Sequence, residues 1–256
     1  LDRFIRGYGA RFSTNGVLSD AYGWRWRHWP SVFKGEEKDQ LVRVIKYLQA
    51  NPNGRRAVLT MWDPDRDLYV GESTPSVPCN TQVYFRVSLG CRDEPNRLNI
   101  TVTCRSNDLI WGAYGENAVV FSMLQEYVAA NLGLVVGTYY QVSNDFHAYV
   151  ALYDKLRAAL REETPTDPYT NPAIVAPFPL VDDPTTWDMD LALFLEDPSA
   201  NGFRNRWFHR VAKPLWWAHE AWKRKDWDTA FACVDQCLAA DWQMAALQWL
   251  ERRRAK

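Results

Sequence analysis

The sequence predicts an α+β protein: a body that mixes strands and helices, followed by a helical C-terminal region. Three observations carry this expectation. Up to about residue 162, apolar positions switch between helical spacing and period-2 alternation, so strands and helices interleave. From residue 187 onward only helical spacing remains, and eight of the thirteen Trp lie beyond residue 185. Between these parts, residues 163–186 are rich in Pro, Thr and Asp and read as an ordered loop or linker. The expected organisation is a core over 1–162, the loop over 163–186 and a Trp-rich helical region over 187–256.

Taken in order, residues 1–30 read as a short helix, a Gly-containing turn and an aromatic, basic segment, Tyr22-Gly23-Trp24-Arg25-Trp26-Arg27. Leu41, Val44, Ile45 and Leu48 stand at helical spacing, predicting a helix over 37–49 that stops at Asn51-Pro52-Asn53-Gly54. Ala57 to Trp62 reads as a buried strand. Further strands are expected over 81–89 and 98–104, with Pro95-Asn96 turning between them; Leu98 to Cys104 alternates with period 2. Val119 to Leu132 has helical period and ends at Gly133. A strand over 135–142, the segment Ser143-Asn144-Asp145-Phe146-His147 and a helix over 148–162 follow. Beyond the loop, helices are expected over 187–196, 206–224, 227–239 and 241–254.

Composition bounds the function. Hydrophobic residues make up 47% of 256, enough for a sizeable core, and 30 basic residues nearly cancel 31 acidic ones. No global field favours nucleic acid or an anionic membrane, so an anionic ligand needs a local cluster, and nucleic acid is not expected as a partner. No apolar run spans a bilayer and no signal-peptide pattern opens the chain. Leu1 rather than Met stands first, which leaves room for residues upstream. The five cysteines (79, 91, 104, 233 and 237) form an odd set without zinc-finger spacing. A reducing cytoplasm is the simple inference, and no metal site is expected.

Three segments have chemistry to offer. Val77-Pro78-Cys79-Asn80 places a Cys after Pro in an extended stretch leading into a strand, although a lone Cys is more often a small buried hydrophobe than a nucleophile. Arg105-Ser106-Asn107-Asp108 ends a strand with a guanidinium, a hydroxyl and a carboxylate; the first two suit a phosphate, while a solvated strand end is the plain alternative. Asp145-Phe146-His147-Ala148-Tyr149 sets a His beside aromatics, a pattern that is usually structural.

Together these segments resemble the thymidylate synthase superfamily, from about Ala21 to Tyr149. Ala21-Tyr22-Gly23 with Arg25-Trp26-Arg27 looks like the family's Tyr-Gly and Trp-Arg segment, and Asn51, Pro52, Arg55 and Arg56 match its Asn-Pro-x-x-Arg-Arg run, with Trp62 closing the strand. Pro78-Cys79 matches the nucleophile loop. Arg105-Ser106-x-Asp108, Gly112 and Asn117 match the phosphate-to-base stretch, and His147-x-Tyr149 the sugar-binding motif. Five motifs in order make a specific signal. The resemblance implies a mixed β-sheet flanked by helices and a homodimer. It also implies a pyrimidine nucleoside monophosphate as substrate and 5,10-methylene-tetrahydrofolate as cofactor.

The resemblance also assigns roles. Cys79 adds to C6 of the pyrimidine so that C5 becomes nucleophilic, and a cationic neighbour, Arg105, is expected to lower its pKa. Arg105 and Ser106 grip the phosphate, with Arg55 and Arg56 donated by the other subunit. Asn117 bonds N3 and O4 of the base, and Tyr22 helps the C5 proton leave. His147 and Tyr149 hold the sugar hydroxyl, and Asp108 and Gly112 lie near the folate.

Four departures stand out. Asn80 replaces the family's His after the nucleophile. The Gly112–Asn117 stretch is one residue longer than usual, leaving Glu116 as competitor for the place of Asn117, whose separation from His147 fits the family. An upstream Glu and a phosphate-loop Arg have no match and are sought before Leu1. No counterpart of the folate-closing tail is visible; the helical region ending Glu251-Arg252-Arg253-Arg254 stands there. A synthase excludes water and reduces the transferred carbon with folate hydride, whereas a hydroxymethylase lets water add. The lost tail and Asn80 favour hydroxymethylation, as does a texture similar to phage proteins of this superfamily. The amide of Asn117 favours dUMP, since superfamily members that act on cytosine carry Asp there. Thymidylate synthesis, dCMP hydroxymethylation and an inactive nucleotide- or nucleic-acid-binding relative are the alternatives.

Overall fold

The computed structural model describes residues 21–30, 37–68, 77–92, 94–162, 169 and 175–255. The features expected within 1–20, and residues 163–168 and 170–174 of the 163–186 loop, lie outside these residues. The chain divides into two compact units, Leu1–Leu156 and Arg157–Lys256. Among the described residues no helix is long and apolar enough to cross a membrane.

The first unit is built on a four-stranded sheet of order β3-β4-β5-β7, with β3 (Val58–Thr60), β4 (Asn80–Ser88), β5 (Arg97–Cys104) and β7 (Val135–Ser143). β3, β4 and β5 pair antiparallel and β5 pairs with β7 in parallel, so the sheet is mixed as expected. Alternation sets its two faces. Leu59, Val83, Phe85, Val87, Leu98, Ile100 and Val102 are all buried. They share the core with Leu41, Val44, Ile45 and Leu48 of α2 (Gln40–Ala50) and Phe121, Leu124 and Val128 of α4 (Asn117–Leu132). Each such side chain removed from water contributes about 1.5–3 kcal/mol. The register shifts between Leu98 and Ile100. There the buried Gln125 donates to the carbonyls of Leu98 (2.7 Å) and Thr138 (3.4 Å). Asn99 Oδ1 accepts from Thr138 N at 2.7 Å. Gly137 is needed at this bulge, because a Cβ there would meet Asn99 Oδ1 at 2.1 Å.

Three local expectations change. Tyr22–Arg27 is a helix, α1, which Arg25 anchors by donating Nη1 and Nη2 to the Asp67 carboxylate at 2.6 and 2.8 Å. Asp67 ends the short helix α3 (Pro64–Asp67). The helix expected from residue 37 begins at Gln40, because Asp39 caps it through Val42 N while Glu37-Lys38 (β2) pairs with Trp29-Pro30 (β1). A π-helical turn over Leu109–Glu116, kinked at Gly115, precedes α4. β6 (Asn107–Asp108) and β8 (Phe146–His147) form a small parallel pair beside it, and α5 covers Val150–Glu162.

The second unit is helical: α6 (Trp187–Glu196), α7 (Lys213–Lys223), α8 (Trp227–Asp235) and α9 (Ala240–Arg254). Ala218, Ala221, Ala230, Val234 and Leu250 form a buried cluster against which Trp222, Trp227 and Trp249 pack. Its tryptophans are thus largely packing residues, and Arg253 of the terminal basic run lies 3.6 Å over the Trp249 ring. The helix expected over 206–224 runs unbroken over 206–223 and widens into a π-helical turn at Phe208–Ala212. Pro214 has no N–H to give the Arg210 carbonyl, which accepts from Leu238 N at 2.9 Å instead.

Candidate active site

Cys79 stands one residue before β4, opposite the end of β5. Arg105 N donates to the Cys79 carbonyl at 2.9 Å, extending the ladder that pairs Asn80 with Cys104. The Arg105 side chain then turns onto the same loop. Nε donates to Pro78 O at 3.0 Å and Nη2 to Val77 O at 3.3 Å, with the guanidinium 5.4 Å from the Trp62 ring centroid. Arg105 therefore fastens the nucleophile segment as well as offering a positive charge. Half-buried Ser106 follows it at the strand end.

The thiol's acidity departs from expectation. Burial pushes the Cys79 pKa up; Arg105 opposes this and Glu116 reinforces it, and the net direction is upward. Desolvation outweighs the single cation. Tyr22 stacks on Phe121 with centroids 5.4 Å apart, and the backbone N–H of Asn80 acts to lower the pKa of its hydroxyl against the larger raising influences. Burial, with charge at Cys79 and Cys104, holds its pKa far above the ordinary phenol value, so Tyr22 is a neutral donor. Asn80 itself is fully buried. Its Nδ2 donates to Thr103 O at 2.7 Å and Gln82 O at 3.1 Å, which makes it a fixture of the strand pair.

The β6–β8 pair sets Asp108 level with His147. Asp108 Oδ1 accepts from Ile110 N and Trp111 N at the start of the π-helical turn, while the buried Oδ2 has no hydrogen-bond partner among the described residues. An orphaned buried carboxylate oxygen is costly, and the ring N–H groups of a folate would satisfy it. The residues present thus fit that cofactor. His147 Nδ1 is likewise buried without a hydrogen bond, 3.6 Å from Asp145 Oδ2, and its ring meets Tyr149 edge-on at 5.4 Å.

Asn117 is buried at the first turn of α4, and its Nδ2 donates to Asn107 Oδ1 at 3.0 Å. Asn107 Nδ2 in turn donates to Ser143 Oγ at 2.9 Å. Gly112 makes this possible, since a Cβ there would stand 2.3 Å from Asn107 Oδ1. Glu116 is exposed, while its charge still acts on Cys79 and Tyr22. The structure thus links Tyr22, Cys79 and Arg105 around one strand pair, and Asp108, Gly112, Asn117, His147 and Tyr149 around the adjoining β6–β8 pair. Arg55 and Arg56 join neither set. Both are exposed, and neither side chain has a partner among the described residues. Sequence reading missed Asn107 and Ser143 as a support; their partnership across 36 residues leaves no local signal.

Comparison with known proteins agrees with this geometry. Residues 7–191 match the thymidylate synthase family. The chain is 45% identical to the deoxyuridylate hydroxymethyltransferase of Pseudomonas phage M6, over 95% of this chain and 69% of that protein. It is 36% identical to the enzyme of the same name from Bacillus phage SP01, over 56% of this chain and 37% of the relative. A thymidylate synthase of Oenococcus oeni is 33% identical over 58% of this chain and 43% of its own length. The chain thus spans about two thirds of the first relative and less than half of the other two. The family's reaction is folate-dependent transfer of a one-carbon unit to C5 of a pyrimidine nucleotide. With the site described above and the match over residues 7–191, the chain belongs to the thymidylate synthase family.

Proposed function

We propose that the protein hydroxymethylates dUMP, using 5,10-methylene-tetrahydrofolate and water to give 5-hydroxymethyl-dUMP. The observation that carries this reading is the buried amide of Asn117, fixed by Asn107 in a chain that also carries Cys79 and is 45% identical to a phage deoxyuridylate hydroxymethyltransferase. When bound, the folate supplies the one-carbon unit. Cys79 adds to C6 of the pyrimidine, which makes C5 nucleophilic. Arg105 and Ser106 hold the phosphate, Arg105 keeping the Cys79 loop in place with its other nitrogens. The Asn117 amide donates to O4 and accepts N3–H, while His147 and Tyr149 hold the sugar. Tyr22, neutral, supports removal of the C5 proton. Asp108, with its unsatisfied Oδ2, and Gly112 line the folate side. Arg55 and Arg56 serve the phosphate of the partner subunit in a homodimer.

Mass spectrometry of the product tests the reaction. Incubation of the enzyme with dUMP and methylene-tetrahydrofolate should add CH2O to the nucleotide and leave tetrahydrofolate. Addition of CH2 with formation of dihydrofolate would make the protein a thymidylate synthase. Turnover of dCMP alone would overturn the choice of base.

A further inference from the structure

We propose that Asn107, anchored by Ser143, is a positioning residue that fixes the Asn117 amide in the sense that selects uracil over cytosine. The inference rests on the reading that Asn117 faces the base. An asparagine amide carries two N–H donors on one side and an acceptor oxygen on the other, and the two ends have nearly the same shape. Packing alone therefore cannot decide which end meets the pyrimidine. Uracil needs a donor at O4 and an acceptor at N3; cytosine reverses both.

Here the decision is made on the side of the amide away from the base. Asn117 is 3% exposed and gives one N–H to Asn107 Oδ1 at 3.0 Å. Its second N–H and its carbonyl remain for a ligand, the combination uracil needs. Turning Asn117 over would set its oxygen against Asn107 Oδ1 in a buried place, a contact of two acceptors with no donor between them. The pair could turn over only together, and the surroundings of Asn107 oppose that. Asn107 is 1% exposed and anchored through Nδ2 to Ser143 Oγ at 2.9 Å, a hydroxyl that could meet either end of the amide. Its sense is set on the other side, where Oδ1 lies so close to Gly112 that a Cβ would stand 2.3 Å away. An oxygen fits against the glycine Cα–H, whereas an NH2 group would bring its hydrogens onto it. The half-buried Ser143 and Gly112 thus frame the buried Asn107, and the output of this frame is the direction of one amide.

The test is the ratio of kcat/KM for dUMP to that for dCMP, measured on wild type and on N107L, N107D and S143A. The wild type should prefer dUMP. N107L removes the acceptor with little change of size, and should lower the ratio about tenfold or more, the effect of one misdirected buried hydrogen bond. N107D keeps an acceptor towards Asn117 and should retain the wild-type preference. A purely structural role would depress both substrates alike and leave the ratio where it was. An unchanged ratio in folded N107L would overturn the inference while leaving the dUMP reading intact. Should N107L fail to fold, S143A serves: a ratio reduced several-fold supports the frame and an unchanged one overturns it. A wild-type preference for dCMP would remove the reading beneath and the inference with it.

Discussion

At the scale of single residues, Cys79, the proposed nucleophile, is not activated by the cation beside it alone. Burial raises the Cys79 pKa, Arg105 lowers it and Glu116 raises it further, with burial the largest of the three. At neutral pH the thiol form is then favoured, and a rate that needs thiolate should climb with pH. Removing the Glu116 charge takes away one of the two raising influences. E116Q should therefore move the midpoint of the kcat/KM–pH profile to lower pH, with the high-pH plateau kept. A midpoint unmoved or shifted upward would remove Glu116 from the electrostatics of the thiol. The candidate residues themselves were legible in the sequence because Pro78-Cys79, Arg105-Ser106 and His147-x-Tyr149 are local motifs. Relations between them were not. The upward shift of Cys79 depends on how much water the fold removes, and the Asn107–Ser143 bond joins residues far apart in the chain.

At the scale of elements, sequence periodicity located strands and helices well wherever one face is buried, as along Leu98–Cys104 and Leu41–Leu48. It failed where backbone geometry answers to a distant partner. The π-helical turns at Leu109–Glu116 and Phe208–Ala212 leave no mark in the apolar spacing. Helix α1 is the clearest case, because a six-residue helix has little stability of its own. Arg25 holds it in place by a two-pronged bond to Asp67 and a further bond from Nη1 to Met61 O at 2.6 Å, with both side chains almost fully enclosed. Burial pushes the Asp67 pKa up, but Arg25 and the Asp63 N–H more than reverse this, so the carboxyl titrates below its ordinary value. A depressed carboxyl pKa contributes stability above the unfolded value of about 3.9 and loses it as pH falls through the folded value. D67N should cost about 3–5 kcal/mol near neutral pH, because it leaves the Arg25 charge buried without its counterion. Urea unfolding should show the gap between D67N and wild type narrowing as pH drops below about 4. A gap under 1 kcal/mol at neutral pH would mean that the pair is dispensable to the fold.

At the scale of the whole molecule, two features point to a second copy of the chain. One face of the sheet carries the core; on the other, Tyr84, Thr101 and Tyr140 stand in register, as do Gln82, Thr103 and Val142. Tyr84, Tyr140 and Val142 are 40%, 54% and 55% exposed, an apolar content that a lone sheet face would not ordinarily leave to water. The second feature is Arg55 and Arg56, exposed just before β3, without a side-chain partner among the described residues and outside both groups of site residues. Two adjacent guanidiniums with no counterion are repelled by one another, and a phosphate offered by a partner subunit resolves that repulsion. In the proposed homodimer each active site would be a product of two chains. Complementation exposes such sharing. C79A lacks the nucleophile but still donates Arg55 and Arg56; R56A keeps the nucleophile but donates a weakened clamp. Each alone should release little or no tritium from C5-labelled dUMP. Mixed and allowed to exchange subunits, half the dimers are hybrids with one intact site, so activity should return to about a quarter of wild type. Sedimentation of labelled chains verifies the exchange. No recovery after proven exchange would place Arg56 in its own subunit's site or outside the chemistry altogether, and a monomer in solution would end the dimer reading directly.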